Sequence, residues 1–243
     1  MKQFAILGLS YFGKNVLEEM LDLDIDILIV DKDRELIDLY KDQPLSAVVA
    51  DISSEEILRK ILPKNLDGVV IDMGDKVESS ILVTSYCRKL GIPRIFVKAV
   101  TDGHAEILNL VGATNVVFPN REAAKRVTPL LVSSGMLNYL PVSGNLVIAE
   151  VEVPDNLFGV SLLKANIRKS QGVNLISIKS GEDEEYGMVD PEYIFQPGDI
   201  ALVSGSDEAI ENFAQLKGKR GRHGLKFSDI GKLFRKAGSR VKT

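Results

Sequence analysis

Short uninterrupted apolar runs recur along the first 120 residues, and between them the apolar positions repeat at helical spacing. The runs fall at 4–7, 25–30, 47–49, 68–71, 95–97 and 116–118, and the helical segments at 14–21, 34–40, 54–62, 77–90 and 105–111. Continuous rather than alternating apolar strands are expected where helices cover both faces of a sheet. Repeated strand–helix–strand units of this length predict an α/β fold, a Rossmann-like doubly wound parallel sheet.

The rhythm then changes. Residues 120–138 predict one longer helix with Val127, Leu130, Leu131 and Leu137 as its apolar stripe, kinked or restarted at Pro129. Pro141-Val142-Ser143-Gly144 reads as a boundary. Beyond it, strands are predicted at 146–153, 173–179 and 200–204, and helices at 161–168 and 207–216. A charged turn spans 180–185, and Tyr193-Ile194-Phe195 leads into a Gln196-Pro197-Gly198-Asp199 turn. The expected organisation is a nucleotide-binding module over 1–138, a small α+β domain over 139–216 and a basic tail over 217–243. The small domain, about seventy residues, is marginal alone and is expected to need a partner surface.

Composition adds one feature that the pattern hides. The formal net charge of the 243 residues is −4, from thirty Lys and Arg against thirty-four Asp and Glu. Ten of those basic residues but one of the acidic ones lie in 217–243, so the tail carries +9 and the body −13. Phe227, Ile230, Leu233, Phe234, Ala237 and Val241 stand at helical spacing among its lysines and arginines, the pattern of a basic amphipathic helix. Such a helix could anchor to an anionic membrane face, or the tail could be a solubilising end. An acidic body argues against a nucleic-acid partner. No stretch approaches the ~18 apolar residues of a membrane span. The start, Met1 to Gly8, runs straight into a strand with no small-residue cleavage site, so no signal peptide is expected. One cysteine, Cys87, permits neither an internal disulfide nor a cysteine metal site and suits a reducing cytosol.

The sharpest local motif is Gly8-Leu9-Ser10-Tyr11-Phe12-Gly13, between the first strand and the first helix. It matches G-x-G-x-x-G with Ser10 in place of the second glycine. Gly8 would serve the tight turn and Gly13 close helix–strand packing, while the middle position admits a pyrophosphate to the helix N-terminus. Asp31 ends the second strand, eighteen residues after Gly13, where a carboxylate accepts from ribose hydroxyls and repels a 2′-phosphate; the alternative is that it caps the following helix. Asp51, beside Ile52, could accept from an adenine amino group or serve as N-terminal helix charge. Gly74 would let the backbone pass close to a ligand, and Lys98 could meet a phosphate or be a solvated lysine. No Ser/His/acid set appears, His104 has no evident partner, and the four acids 182–185 read as a solvated turn rather than a metal site.

The loop, Asp31, Val97-Lys98-Ala99, the Gly112-Ala113 and Val116-Val117-Phe118-Pro119 segment and the small following module together resemble an RCK (KTN) domain. The architecture is similar to the cytosolic regulatory subunits of bacterial Trk/Ktr potassium-uptake systems, with one N-module and one C-module. The resemblance implies a non-enzymatic switch at the inner face of the cell membrane. Such subunits pair through the helix after the sixth strand, form dimers and octameric rings, and dock on a membrane-embedded TrkH/KtrB-like transporter. It implies ATP, ADP or NAD(H) in a cleft lined by Gly8, Ser10, Tyr11, Phe12, Gly13, Asp31, Asp51, Ile52, Gly74 and Lys98. Many relatives have glycine at Ser10 and an arginine at Tyr11, and some have a divalent-ion-binding glutamate at Asn120. The segment 161–168 resembles one that binds cyclic di-AMP in some relatives, through Leu162, Leu163, Asn166 and Arg168. The other readings of this fold are an NAD-dependent oxidoreductase, which lacks an acid–base residue here, and an NADH-sensing regulator, which lacks a winged helix.

Overall fold

The computed structural model describes residues 1–43, 45–180 and 185–215. Most of the acidic turn and the whole basic tail, with its expected amphipathic helix, lie outside the described residues. The chain divides between Glu122 and Ala123 into two compact units.

In the first unit strands and helices alternate: β1 (Gln3–Leu7), α1 (Tyr11–Leu21), β2 (Asp26–Asp31), α2 (Arg34–Asp38), β3 (Ser46–Val49), α3 (Glu55–Ile61), β4 (Gly68–Ile71), α4 (Val77–Lys89), β5 (Ile95–Lys98), α5 (Asp102–Val111) and β6 (Asn115–Val117). All six strands are parallel, in the order β3-β2-β1-β4-β5-β6. Successive strand side chains go to opposite faces, and both faces are dry. Ala5, Leu7, Leu28 and Val30 pack with Leu58 of α3, Val83 and Cys87 of α4 and Leu108 of α5. Ile6, Ile27 and Ile29 pack on the other face with Leu17 of α1 and Ile37 of α2. This double burial makes the strands read as unbroken apolar runs. The strand order reverses between β1 and β4, and there the carboxyl ends of the strands open a crevice.

The helix α6 (Pro119–Val132) follows β6 and stops short of the expected 138, with Pro129 inside it. None of its residues is buried, and Leu131 and Val132 are 79% and 72% exposed. Residues 136–143 are instead an edge strand of the second unit, so the chain enters that sheet before the expected domain start at 139. The second unit comprises β7 (Met136–Ser143), β8 (Leu146–Glu152), α7 (Leu162–Ala165), α8 (Ile167–Gln171), β9 (Asn174–Lys179), β10 (Ile200–Gly205) and α9 (Asp207–Gln215). Its sheet is antiparallel, in the order β7-β8-β10-β9. The supposed boundary Pro141–Gly144 is therefore the end of β7 and a hairpin turn, with Gly144 at φ +51°. The register slips between Met136 and Asn138, so the buried residues of β7, Met136 and Tyr139, stand three apart. A bulge thus mimics helical spacing. Pro141 is tolerated because β7 is an edge strand. The predicted helix 161–168 is broken at Asn166, whose left-handed φ of +42° ends α7 and starts α8.

Candidate functional site

Close approach dictates the glycine loop. A Cβ on Gly8, whose φ is +92°, would stand 2.1 Å from the carbonyl oxygen of Asp72 at the end of β4. A Cβ on Gly13 would stand 2.4 Å from the Gly8 carbonyl. The loop therefore lies flat against β4 and delivers α1 at Ser10. Ser10 is the N-cap of α1, yet its hydroxyl makes no capping hydrogen bond. It faces Gly74 across a gap; a Cβ there would lie 3.7 Å from Ser10 Oγ.

Beside this loop is a cleft of about 250 Å³ at the carboxyl ends of β1 to β4. Its lining brings together Gly8, Ser10, Asp31, Asp51, Ile52 and Gly74. Tyr11, Phe12, Gly13 and Lys98 are not in the lining. Tyr11 is 80% exposed at the first turn of α1, and Gly13 is buried in the packing of loop on strand.

Asp31 is not a helix cap. Asp33 has that task, accepting from the N–H groups of Glu35 and Leu36. Asp31 instead clamps the loop: Oδ2 accepts from Leu9 N–H at 2.7 Å and Oδ1 from Asp33 N–H at 2.9 Å. Each oxygen keeps lone-pair capacity for a further donor. Asp51 accepts from Ser53 N–H at 3.0 Å. That bond, with lesser help from the charges of Lys32 and Lys76, holds its carboxyl below the ordinary 3.8. Leu36, Ala50, Ile52 and Met73 supply apolar lining between these groups.

Lys98 is paired within the fold. Its ammonium lies 3.3 Å from Asp72 Oδ1, and the Asp72 side chain is wholly buried. Asp72 Oδ2 also accepts from Gly13 N–H at 2.9 Å, and Oδ1 from Gly74 N–H at 3.1 Å. Sequence reasoning passed over Asp72. Strand pairing brings it to Lys98: Ile71 pairs with Val97, which sets Asp72 and Lys98 side by side one residue later. His104 has a partner too. It is buried beside Ser80, with Nε2 2.7 Å from Ser80 Oγ, while Nδ1 accepts from Val100 N–H at 3.2 Å. Burial lowers its pKa. Burial likewise pushes the Cys87 thiol up to about 12, as suits a packing residue.

In the second unit, Leu162 packs on the core while Leu163 is 71% exposed, and Asn166 and Arg168 are exposed. Among the described residues, no group of three or more His, Cys, Asp and Glu could hold a metal, and no helix is long and apolar enough to cross a membrane.

A TrkA-N domain model matches residues 4–119 and a TrkA-C domain model matches 146–218. Ktr system potassium uptake protein C of Bacillus subtilis (strain 168) is 32% identical over 87% of this chain and 96% of that protein. Ktr system potassium uptake protein A of the same organism is 28% identical, over 87% and 95%. Among solved structures, the GsuK RCK domain matches with a TM-score of 0.63 at 16% identity, over 91% of this chain and 48% of that one. A GsuK channel bound to NAD matches with a TM-score of 0.62 at 16% identity, over 92% and 41%. The chain thus spans nearly the whole of the Ktr proteins but less than half of the GsuK chains, with which it shares the fold.

Proposed function

This chain belongs to the family of Ktr potassium-uptake proteins, and from that premise we propose that it is a nucleotide-binding regulatory subunit, not an enzyme, acting on a membrane-embedded potassium transporter. The observation that carries this reading is the cleft at the strand-order reversal, where the glycine loop and two carboxylates converge. An adenine nucleotide or NAD(H) fits it with the ribose hydroxyls donating to Asp31. The adenine lies between Asp51 and Ile52, and the phosphates lie over Gly8 and Ser10 at the N–H groups of Tyr11 and Phe12. Gly74 leaves room for the far end of the ligand. The protein works at the cytoplasmic face, as an assembly of copies. The exposed apolar residues of α6, Val127, Leu131 and Val132, support self-association. The nucleotide biases the transporter in so far as it binds two states of that assembly unequally, and a few kcal/mol of difference suffices.

A thermal-shift panel of ATP, ADP, NAD⁺, NADH and cyclic di-AMP tests the reading. A nucleotide at a hundred times its Kd stabilises the folded protein by about 2.7 kcal/mol, and Asp31→Ala cuts that by about half or more. No shift with any of them overturns it. Cyclic di-AMP is the separate arm for Leu162, Leu163, Asn166 and Arg168, and its shift should survive Asp31→Ala but not Arg168→Ala.

A further inference from the structure

We infer that Asp72 is a built-in counter-anion that sets the charge class of the ligand, so that the cleft takes a dinucleotide or diphosphate in preference to a triphosphate. The inference rests on the nucleotide reading above and concerns which nucleotide that cleft accepts.

The argument starts from what an anion needs at this place. The end of a parallel strand beside a helix N-terminus offers two kinds of help to a phosphate: unpaired backbone N–H groups and a nearby cation. Here a fully buried carboxylate has already claimed a share of both. Gly13 N–H, in the first turn of α1, donates to Asp72 Oδ2, and Gly74 N–H donates to Oδ1. Lys98 has its ammonium on the same Oδ1 and retains 20% side-chain exposure. The positive charge at the end of β5 is thus matched by a negative one that cannot move away. Asp72 is locked on three sides, and its own backbone N–H is bonded to the Leu7 carbonyl.

The rest of the lining points the same way. Four carboxylates, Asp31, Asp33, Asp51 and Asp72, face two ammonium groups, Lys32 and Lys76. Both of those lysines act on Asp51, which lies toward the adenine end of the cleft. On the β4 side the lining therefore holds one ammonium, Lys76 just before α4, while the Lys98 ammonium beyond the lining is already matched by Asp72. A pyrophosphate linking two nucleosides carries about two negative charges, ADP about three and ATP about four. Each added charge meets a site whose donors are partly spent. A ribose or amide at that end would instead find Ser10 Oγ, Gly74 and the Met73 side chain.

The test is calorimetric titration of the full-length protein with NAD⁺, ADP and ATP in magnesium-free buffer, on the wild type and on Asp72→Asn. Asparagine keeps an oxygen for the Gly13 N–H but releases Lys98. The wild type is expected to bind ATP at least about threefold more weakly than ADP. In D72N the ATP affinity is expected to rise about tenfold relative to that for NAD⁺. An unchanged ATP-to-NAD⁺ ratio in a folded D72N overturns the inference. If D72N does not fold, the wild type decides, since ATP binding as tightly as ADP overturns it alone. These failures differ from that of the nucleotide reading, in which no ligand binds the wild type.

Discussion

The two sides of the cleft are built on opposite plans. On the β2–β3 side, Asp31 is half-buried and Asp51 exposed, each holding a backbone N–H and keeping acceptor capacity. On the β4 side, Asp72 is buried, and both its carboxylate oxygens are bonded within the unit. Buried polar groups cost folding free energy unless satisfied, so the second side has little left for a ligand. The lesson is that strand-end residues with similar chemistry divide between recognition and architecture according to how far the neighbouring helices cover them. Changes on the open side should be read in affinity, and changes on the closed side in stability or selectivity.

The hinge between the two sides gives the largest effect. Gly8→Ala places a methyl 2.1 Å from a backbone oxygen at a φ of +92°. Strain and overpacking together should cost about 2–6 kcal/mol, measured by denaturant melts, with nucleotide binding lost as well. A stability within about 1 kcal/mol of wild type would show that loop and strand are not locked together. Next, Asp31→Ala should weaken nucleotide binding about ten- to a hundredfold, the loss of a charge-assisted acceptor. Its melting temperature should fall less than that of Gly8→Ala. The reverse pattern would move Asp31 from recognition to architecture.

His104 gives the smallest effect. Its folded pKa lies below the ordinary 6.5 because burial penalises the cation. The unfolded chain therefore takes up the proton first. The stability this neutral histidine contributes is complete above about pH 6.5 and drains as the pH falls toward its lowered folded value. Melting curves from pH 7.5 to 5.5 should show a decline of a few degrees at most that His104→Gln flattens. An unchanged slope in that variant would assign the decline to other groups.

The parallel sheet was legible because both of its faces are buried, which writes each strand as an apolar run. Gly8, Asp31 and Gly74 were legible as residues of the cleft because a turn, a strand-end acid and a close approach each demand a particular residue type. β7 was not, because a bulge set Met136 and Tyr139 three apart and Pro141 looked like a break. Asp72 was overlooked beside Gly74, whose freedom was the louder signal. The pairing of Lys98 was not legible because its partner lies twenty-six residues earlier in the chain.

The sequence by itself determined the α/β class, the strand ends and the glycine turn, since these depend on local periodicity and on the absence of a Cβ. Tertiary structure decided which charges remain available. Whether an acid at a strand end faces a ligand or a lysine depends on the pairing of β4 with β5 and on the burial that α1 imposes. Ion pairing and desolvation act between residues that only folding brings together.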